Sequence, residues 1–255
     1  MGVLNVTPDS FSDGGRYATL QAAIEHGLRM VSEGAALIDV GGESTRPGAT
    51  AVSAEEELER VVPVIRALAA ADVVVSVDTS KPQVMTAAAA EGAGLINDVR
   101  ALTAPGALAA ARASGCAVCL MHMQGEPRTM QHAPTYTDVL AEIRAFLAER
   151  VAACRAAGLG ARQIVVDPGF GFGKAIEHNL TLLRHLRELA PPDVPLLVGL
   201  SRKSLLGRLT GRAAGERLYG SLALAVIAAL NGARIIRAHD VAATVDALKV
   251  VAALE

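Results

Sequence analysis

The sequence predicts a single (β/α)8 barrel spanning residues 1–255. Short apolar, β-branched runs alternate with Ala/Leu/Arg/Glu-rich helical runs from end to end. Eight such units occupy the 255 residues, close to the usual length of that architecture. The strands are continuous apolar runs, as strands buried on both faces must be. The competing arrangement is an open doubly wound sheet. It normally has fewer strands and a Gly-rich dinucleotide loop, and no G-x-G-x-x-G opens a helix here.

The elements follow in order. Strand 3–6 runs into Thr7-Pro8-Asp9-Ser10-Phe11-Ser12-Asp13-Gly14-Gly15, which suits neither helix nor strand. Helix 19–32 ends before Gly34, and strand 36–40 follows. Helix 54–70 opens on Ser53 ahead of Glu55, Glu56 and Glu57, a capping-box pattern. Strand 73–77 leads to helix 82–90, with Ser80 placed to cap it and Gly92 to end it. Strand 95–97 pairs with helix 105–113, and strand 117–121 with helix 136–156, which Gly158 closes. Strand 164–166 and helix 175–189 flank a Gly-rich loop. Strand 196–199 precedes a Ser-Arg-Lys-Ser loop and helix 216–231, ended by Gly232. Strand 234–237 and helix 241–254 complete the set.

Composition excludes several classes. Hydrophobic residues make up 51% and charged residues 20%, enough for one substantial core. The net charge of −2 implies no general affinity for nucleic acid or an anionic membrane, so any anion site must be local. Charges interrupt every apolar run well short of the roughly 18 residues that span a membrane. Met1 leads directly into a strand and a polar loop, so no signal peptide is expected. Cys116 and Cys119 form a C-x-x-C, but residues three apart on a strand face opposite sides. With three cysteines in all, buried apolar thiols and a cytoplasmic location are expected.

The polar residues fall where a barrel places its chemistry. At the C-terminal ends of the strands stand Asn5, Asp39 with Glu43, Asp78, Asn97 with Asp98, His122, Asp167, residues 201–204, and Arg237 with His239. Any one alone reads equally well as a turn or cap residue. Eight ends together indicate an enzyme. Ser201-Arg202-Lys203-Ser204 and Arg237-Ala238-His239 follow strands 7 and 8, a frequent phosphate position. Asp78, Asn97 and Asp167 suit a heterocycle rich in N–H donors. The loop Asp167-Pro168-Gly169-Phe170-Gly171-Phe172-Gly173-Lys174 carries two of the four Phe, and with Phe11 it reads as a ring-stacking lid.

These stretches resemble the dihydropteroate synthase family over nearly the whole chain. The residues that carry the resemblance are MGVLNVTPDSFSDGG, IDVGGESTRPGA, VSVDTSKP, GLINDVRAL, CLMHMQGEPRTMQ, VVDPGFGFGK, GLSRKS, GSLALA and RIIRAHDV. The resemblance implies a (β/α)8 barrel that joins 6-hydroxymethyl-7,8-dihydropterin diphosphate to p-aminobenzoate and releases diphosphate. It implies a Mg²⁺ held by Asn5 and the diphosphate, with Arg46, Arg237 and His239 on the diphosphate. It assigns Asp78, Asn97, Met121, Asp167, Lys203 and Arg237 to the pterin, and Phe11, Thr45, Arg46, Pro47, Phe172 and Ser204 to p-aminobenzoate. Asp78, Asp167, Lys203, Arg237 and His239 are the implied catalytic set. The loop 7–15 becomes a lid bringing Phe11 onto p-aminobenzoate. The implied partners are these small molecules and a second copy in a homodimer, with helix 221–231 a candidate interface. Family members also carry residues before strand 1, often a hairpin over the barrel floor, and that hairpin is expected to be missing here. Competing readings are a pterin- or folate-binding methyltransferase domain, a non-catalytic pterin-binding homologue, and a Schiff-base aldolase using Lys203 activated by Arg202.

Overall fold

Eight parallel strands stand side by side in sequence order in the computed structural model, which describes residues 1–7, 15–44, 52–126, 129–131 and 133–254. They are β1 (Gly2–Asn5), β2 (Ile38–Gly41), β3 (Val75–Asp78), β4 (Ala93–Asp98), β5 (Ala117–Met121), β6 (Ile164–Asp167), β7 (Leu196–Val198) and β8 (Ala233–Ile236). The sheet closes on itself: the Val3 N–H donates to the Ala238 carbonyl at 3.1 Å, and the Ala238 N–H to the Met1 carbonyl at 2.9 Å. The helices are α1 (Gly15–Ser32), α2 (Ala54–Ala70), α3 (Pro82–Ala90), α4 (Ala107–Ser114), α5 (Val139–Ala156), α6 (Ile176–Arg184), α7 (Ser204–Thr210), α8 (Leu218–Leu230) and α9 (Val241–Ala252). This is the (β/α)8 barrel the alternation predicts.

The period of two along each strand sorts the side chains. Ile38, Val40, Val77, Ile96, Val118, Leu120, Ile164 and Val166 point outward and join the helices in one large buried cluster. In α2, Val61, Ile65 and Leu68 form a stripe at helical spacing on that cluster, and fully burying such a side chain contributes roughly 1.5–3 kcal/mol. The alternate positions Leu95, Cys119, Val165 and Leu197, with Met1, Leu37, Ala117 and Ile235, pack together inside the barrel. Directly above this plug come the next inward positions, at the strand ends. Cys116 lies in the outer cluster and Cys119 in the inner one, as opposite-facing residues must; both are free, like Cys154.

Local signals hold in most places. The Ser53 side chain accepts from the Glu56 N–H at 3.1 Å. Gly34, Gly92, Gly158 and Gly232 all have φ between 91° and 100°. Three details differ from expectation. Ser80 does not cap α3: the helix begins at Pro82, so the cap position falls on Lys81, and the Ser80 hydroxyl donates to Asp98 instead. Tyr136 precedes α5, whose cap is Asp138, accepting from the Leu140 and Ala141 N–H groups at 3.0 Å. A short helix, α7, begins at Ser204, where the sequence suggests only loop.

Candidate active site

Arg237 stands at the centre of the barrel mouth. Its Nε donates to Asp39 Oδ2 at 2.6 Å and its Nη2 to Asp78 Oδ2 at 3.0 Å. Asn97 Nδ2 donates to the same Asp39 oxygen at 3.1 Å. Three strand ends are therefore tied through one fully buried carboxylate. Asp39 stands among the strand-end polar residues read from the sequence, but the family resemblance gives it no binding or catalytic role. It lies one layer deeper than Asp78, and its role is to aim Arg237 and Asn97. The anion-binding and ring-binding groups are thus linked through Arg237 rather than held on separate sides.

Electrostatics follow from this crowding. Burial, then the charge of Asp39, pushes Asp78 up to about 7 against the pull of Arg237. The flanking carboxylates raise Arg237 further against its burial. Burial raises Asp167, opposed first by Lys203 and then by the Gly169 N–H, which donates to Asp167 Oδ1 at 2.7 Å. Burial brings Lys203 down to about 8, with Asp167 opposing and Arg237 adding to the shift. Lys203 Nζ donates to the Phe170 carbonyl and lies 4.5 Å from the centre of the Phe172 ring. Arg202 plays no part in lowering Lys203. It turns away, at φ 59°, to a fork-to-carboxylate pair with Asp240, its Nε 3.0 Å from Oδ2.

The structure therefore gathers Asp78, Asn97, Asp167, Lys203 and Arg237 at one mouth, with Met121 buried beside Gly169. His239 sits at the same rim, its Nδ1 3.1 Å from Ser201 Oγ, and Ser204 opens α7. Asn5 ends β1. Phe11, Thr45, Arg46 and Pro47 lie outside the described residues. The reading of both loop aromatics as a lid is corrected for Phe170, which is 1% exposed and part of the core. The same turn that leaves Phe172 half-buried drives Phe170 inward. Beside β2, Lys81 Nζ bonds Glu43 Oε2 at 2.5 Å and also Glu57, while Glu43 Oε1 accepts from the Val52 N–H at 3.2 Å. Glu43 thereby ties Val52, just ahead of α2, to the end of β2.

The residues at the mouth decide how the implied Mg²⁺ would be held. Among the described residues no group of three or more His, Cys, Asp or Glu could cage a metal. What fits is an ion carried mainly by substrate phosphates and water, with one protein oxygen. Asn5 supplies such an oxygen. The glycine at 41 keeps open the space beside it, since a Cβ there would stand 3.8 Å from Asn5 Oδ1 and 3.5 Å from the Asp78 Cβ.

A closed barrel whose mouth pairs buried carboxylates and an amide with a tethered arginine is the site of an enzyme for a polar ring carrying an anion, and the family model described as pterin binding enzyme matches residues 1–239. The dihydropteroate synthase of Escherichia coli (strain K12) is 56% identical over 254 residues, covering 99% of this chain and 90% of the relative. The Yersinia pestis dihydropteroate synthase in complex with a sulfonamide drug superimposes with a TM-score of 0.94 at 56% identity, covering 100% of this chain and 93% of that one. The Xanthomonas albilineans enzyme in complex with 7,8-dihydropteroate gives 0.91 at 52% identity, covering 100% and 92%. The chain belongs to the dihydropteroate synthase family.

Proposed function

We propose that the chain condenses 6-hydroxymethyl-7,8-dihydropterin diphosphate with p-aminobenzoate to 7,8-dihydropteroate, releasing diphosphate by dissociative C–O cleavage. The observation that carries this reading is the Asp39–Arg237–Asp78 arrangement facing Lys203 and Asp167. Cleavage places negative charge on diphosphate and positive charge on the pterin methylene. Arg237 and His239, with Arg46, take the diphosphate. Asp39 holds the guanidinium before substrate arrives, so little reorganisation is needed at the moment of reaction. Asp78, Asn97 and Asp167 accept from or donate to the pterin edge, with Lys203 and Met121 against the ring. A carboxylate at Asp167 favours the developing cation. Mg²⁺ bound with the diphosphate at Asn5 would neutralise leaving-group charge. The p-aminobenzoate amine is neutral near pH 7 and needs no strong base; Phe11, Thr45, Arg46, Pro47, Phe172 and Ser204 form its pocket. The decisive experiment is diphosphate release with and without p-aminobenzoate. Release that requires p-aminobenzoate establishes the synthase; pterin binding without release supports a binding module.

The pH profile adds a test. Pterin N–H groups need Asp78 as a carboxylate, so kcat/KM for the pterin substrate should fall as pH drops through about 7. Asp39 is one of the charges holding Asp78 up, so Asp39→Asn should move that acid limb to lower pH. A limb that stays in place, or rises, rejects the pairing of these two carboxylates.

The chain works as a homodimer in this reading, through α8 and α9. Tyr219, 82% exposed, and Val250, 66% exposed, join Ile227, Leu230 and Leu254 in an apolar surface over these two packed helices. Ile227→Glu should give a monomer in sedimentation, with melting lowered only modestly; a dimer that survives it lies elsewhere. No helix among the described residues is long and apolar enough to cross a membrane, and we place the enzyme in the cytoplasm.

A further inference from the structure

Lys174 closes the loop after β6 and is 3% exposed. Its ammonium has three donors, and three acceptors surround it: the Phe172 carbonyl at 2.9 Å, His122 Nδ1 at 3.0 Å and the His122 carbonyl at 3.3 Å. None of the three is a carboxylate. Burial drives this lysine toward the neutral amine, and the charge of Asp167 is the main force against that. Two proton arrangements fill these contacts: an ammonium that donates to both carbonyls and to His122 Nδ1, or a neutral amine that donates to the carbonyls and accepts from an Nδ1–H. The Asp167 charge favours the first, in which His122 is neutral with its proton on Nε2. Burial and the Lys174 charge hold it down to about 3.

The lysine sits in a tight seam between two loops. A Cβ on Gly169 would stand 2.0 Å from the His122 carbonyl oxygen, and one on Gly173 would stand 2.2 Å from that of Gln124. Tyr136 Oη donates to the Gly173 carbonyl at 2.8 Å. The His122 ring packs edge-on against Phe146 at 4.9 Å. The same short loop carries Asp167, the Gly169 N–H that binds it, and the Phe170 carbonyl that takes Lys203.

We propose that Lys174 is a positioning residue for the reaction: its ammonium pins the loop after β6 to His122 and keeps Asp167 ionised toward the pterin. The proposal rests on the reading of Asp167 as a pterin ligand. Asp167 faces Lys203 from beyond β7, Arg237 from beyond β8 and the Cys119 thiol from β5. Asp39 and Asp78 bear on it from β2 and β3 through Arg237. Lys174 is a second lysine in this set, supplied from Asp167's own loop.

The test is calorimetric binding of the dihydropterin diphosphate, without p-aminobenzoate, across the acidic and neutral range. Lys174→Met keeps the volume and removes the charge. It should weaken binding roughly tenfold near neutrality, the scale of one lost charge-assisted hydrogen bond. It should also raise the pH at which Asp167 itself takes a proton, followed by its ¹³C carboxyl resonance so that the Asp78 titration does not mask it, since removing a cation disfavours the carboxylate. Lys174→Arg should restore that titration even where affinity stays reduced. An Asp167 titration unmoved in Lys174→Met overturns the proposal. So does a ¹⁵N spectrum of the unaltered protein with the His122 proton on Nδ1, and that readout decides the matter if Lys174→Met fails to fold. Asp167→Asn is run alongside. If it binds as tightly as the parent, the pterin assignment itself falls. If it binds weakly while Lys174→Met binds normally, only the role of Lys174 falls.

Discussion

Arg237→Ala is expected to abolish p-aminobenzoate-dependent diphosphate release, by a factor of roughly 10²–10³ or more. The reasoning has two parts. The guanidinium is the cation held at the centre of the mouth by Asp39 and Asp78, at 2.6 and 3.0 Å. Truncation removes the group that meets the departing charge. It also leaves a fully buried Asp39 and a nearly buried Asp78 without their cation, and breaking such a pair typically costs about 3–5 kcal/mol of stability. Release assays and thermal melts on two further variants separate these effects. Arg237→Lys keeps the charge but not the fork, so it should recover folding and little turnover. The double variant Arg237→Met with Asp39→Asn removes both charges; it should melt near the parent and stay inactive. Full turnover in Arg237→Lys would reject the role given to the bidentate geometry.

The second large effect is expected from a single methyl group. Gly169 has φ 68°, and its missing Cβ would lie 2.0 Å from the His122 carbonyl oxygen and 3.2 Å from Met121 Cγ. Gly169→Ala adds backbone strain and a clash with another backbone, which no rotamer change relieves. The loop must move away from β5, and Asp167 with it. A loss of about 3 kcal/mol in stability is expected, together with pterin affinity weakened far more than p-aminobenzoate affinity. Gly94 provides the control. Nothing lies within 4 Å of a Cβ built there, so Gly94→Ala should change stability by no more than about 0.5 kcal/mol. Similar melts for the two variants would show that the seam between the loops is looser than its geometry implies.

The barrel was legible because its signals are local and repeated: an apolar run, a polar strand end, an amphipathic helix, a glycine. Asp78, Asn97, Asp167 and Arg237 were legible for the same reason, since each stands at the end of such a run in inward phase. Asp39 was harder to read. A carboxylate inside an apolar strand announces that it needs a partner, but the partner, Arg237, lies 198 positions away in the sequence, and pairing at that distance leaves no local pattern. Phe170 was misread because a Gly-rich loop suggests exposure. Here positive φ at Gly169, Gly171 and Gly173 folds the loop so sharply that one ring turns into the core. Helix α7 was hidden by Gly207 within it and by its length of 7 residues. Thr45, Arg46 and Pro47 stand in a stretch of sequence with no periodicity, and only the family resemblance singles them out for p-aminobenzoate.

The placement of the cysteines bears on how this protein can be studied. Cys116, Cys119 and Cys154 are free and buried, and burial raises the thiols of Cys119 and Cys154, so the native chain offers little thiolate to an alkylating reagent. A fluorophore or spin label can therefore be attached at one introduced surface cysteine outside the α8 and α9 face, for example Val74→Cys, at a position 57% exposed, without replacing any natural residue of the core. Distances between two such labels across a dimer, or from one label to a bound pterin, would then be read from an otherwise unaltered enzyme.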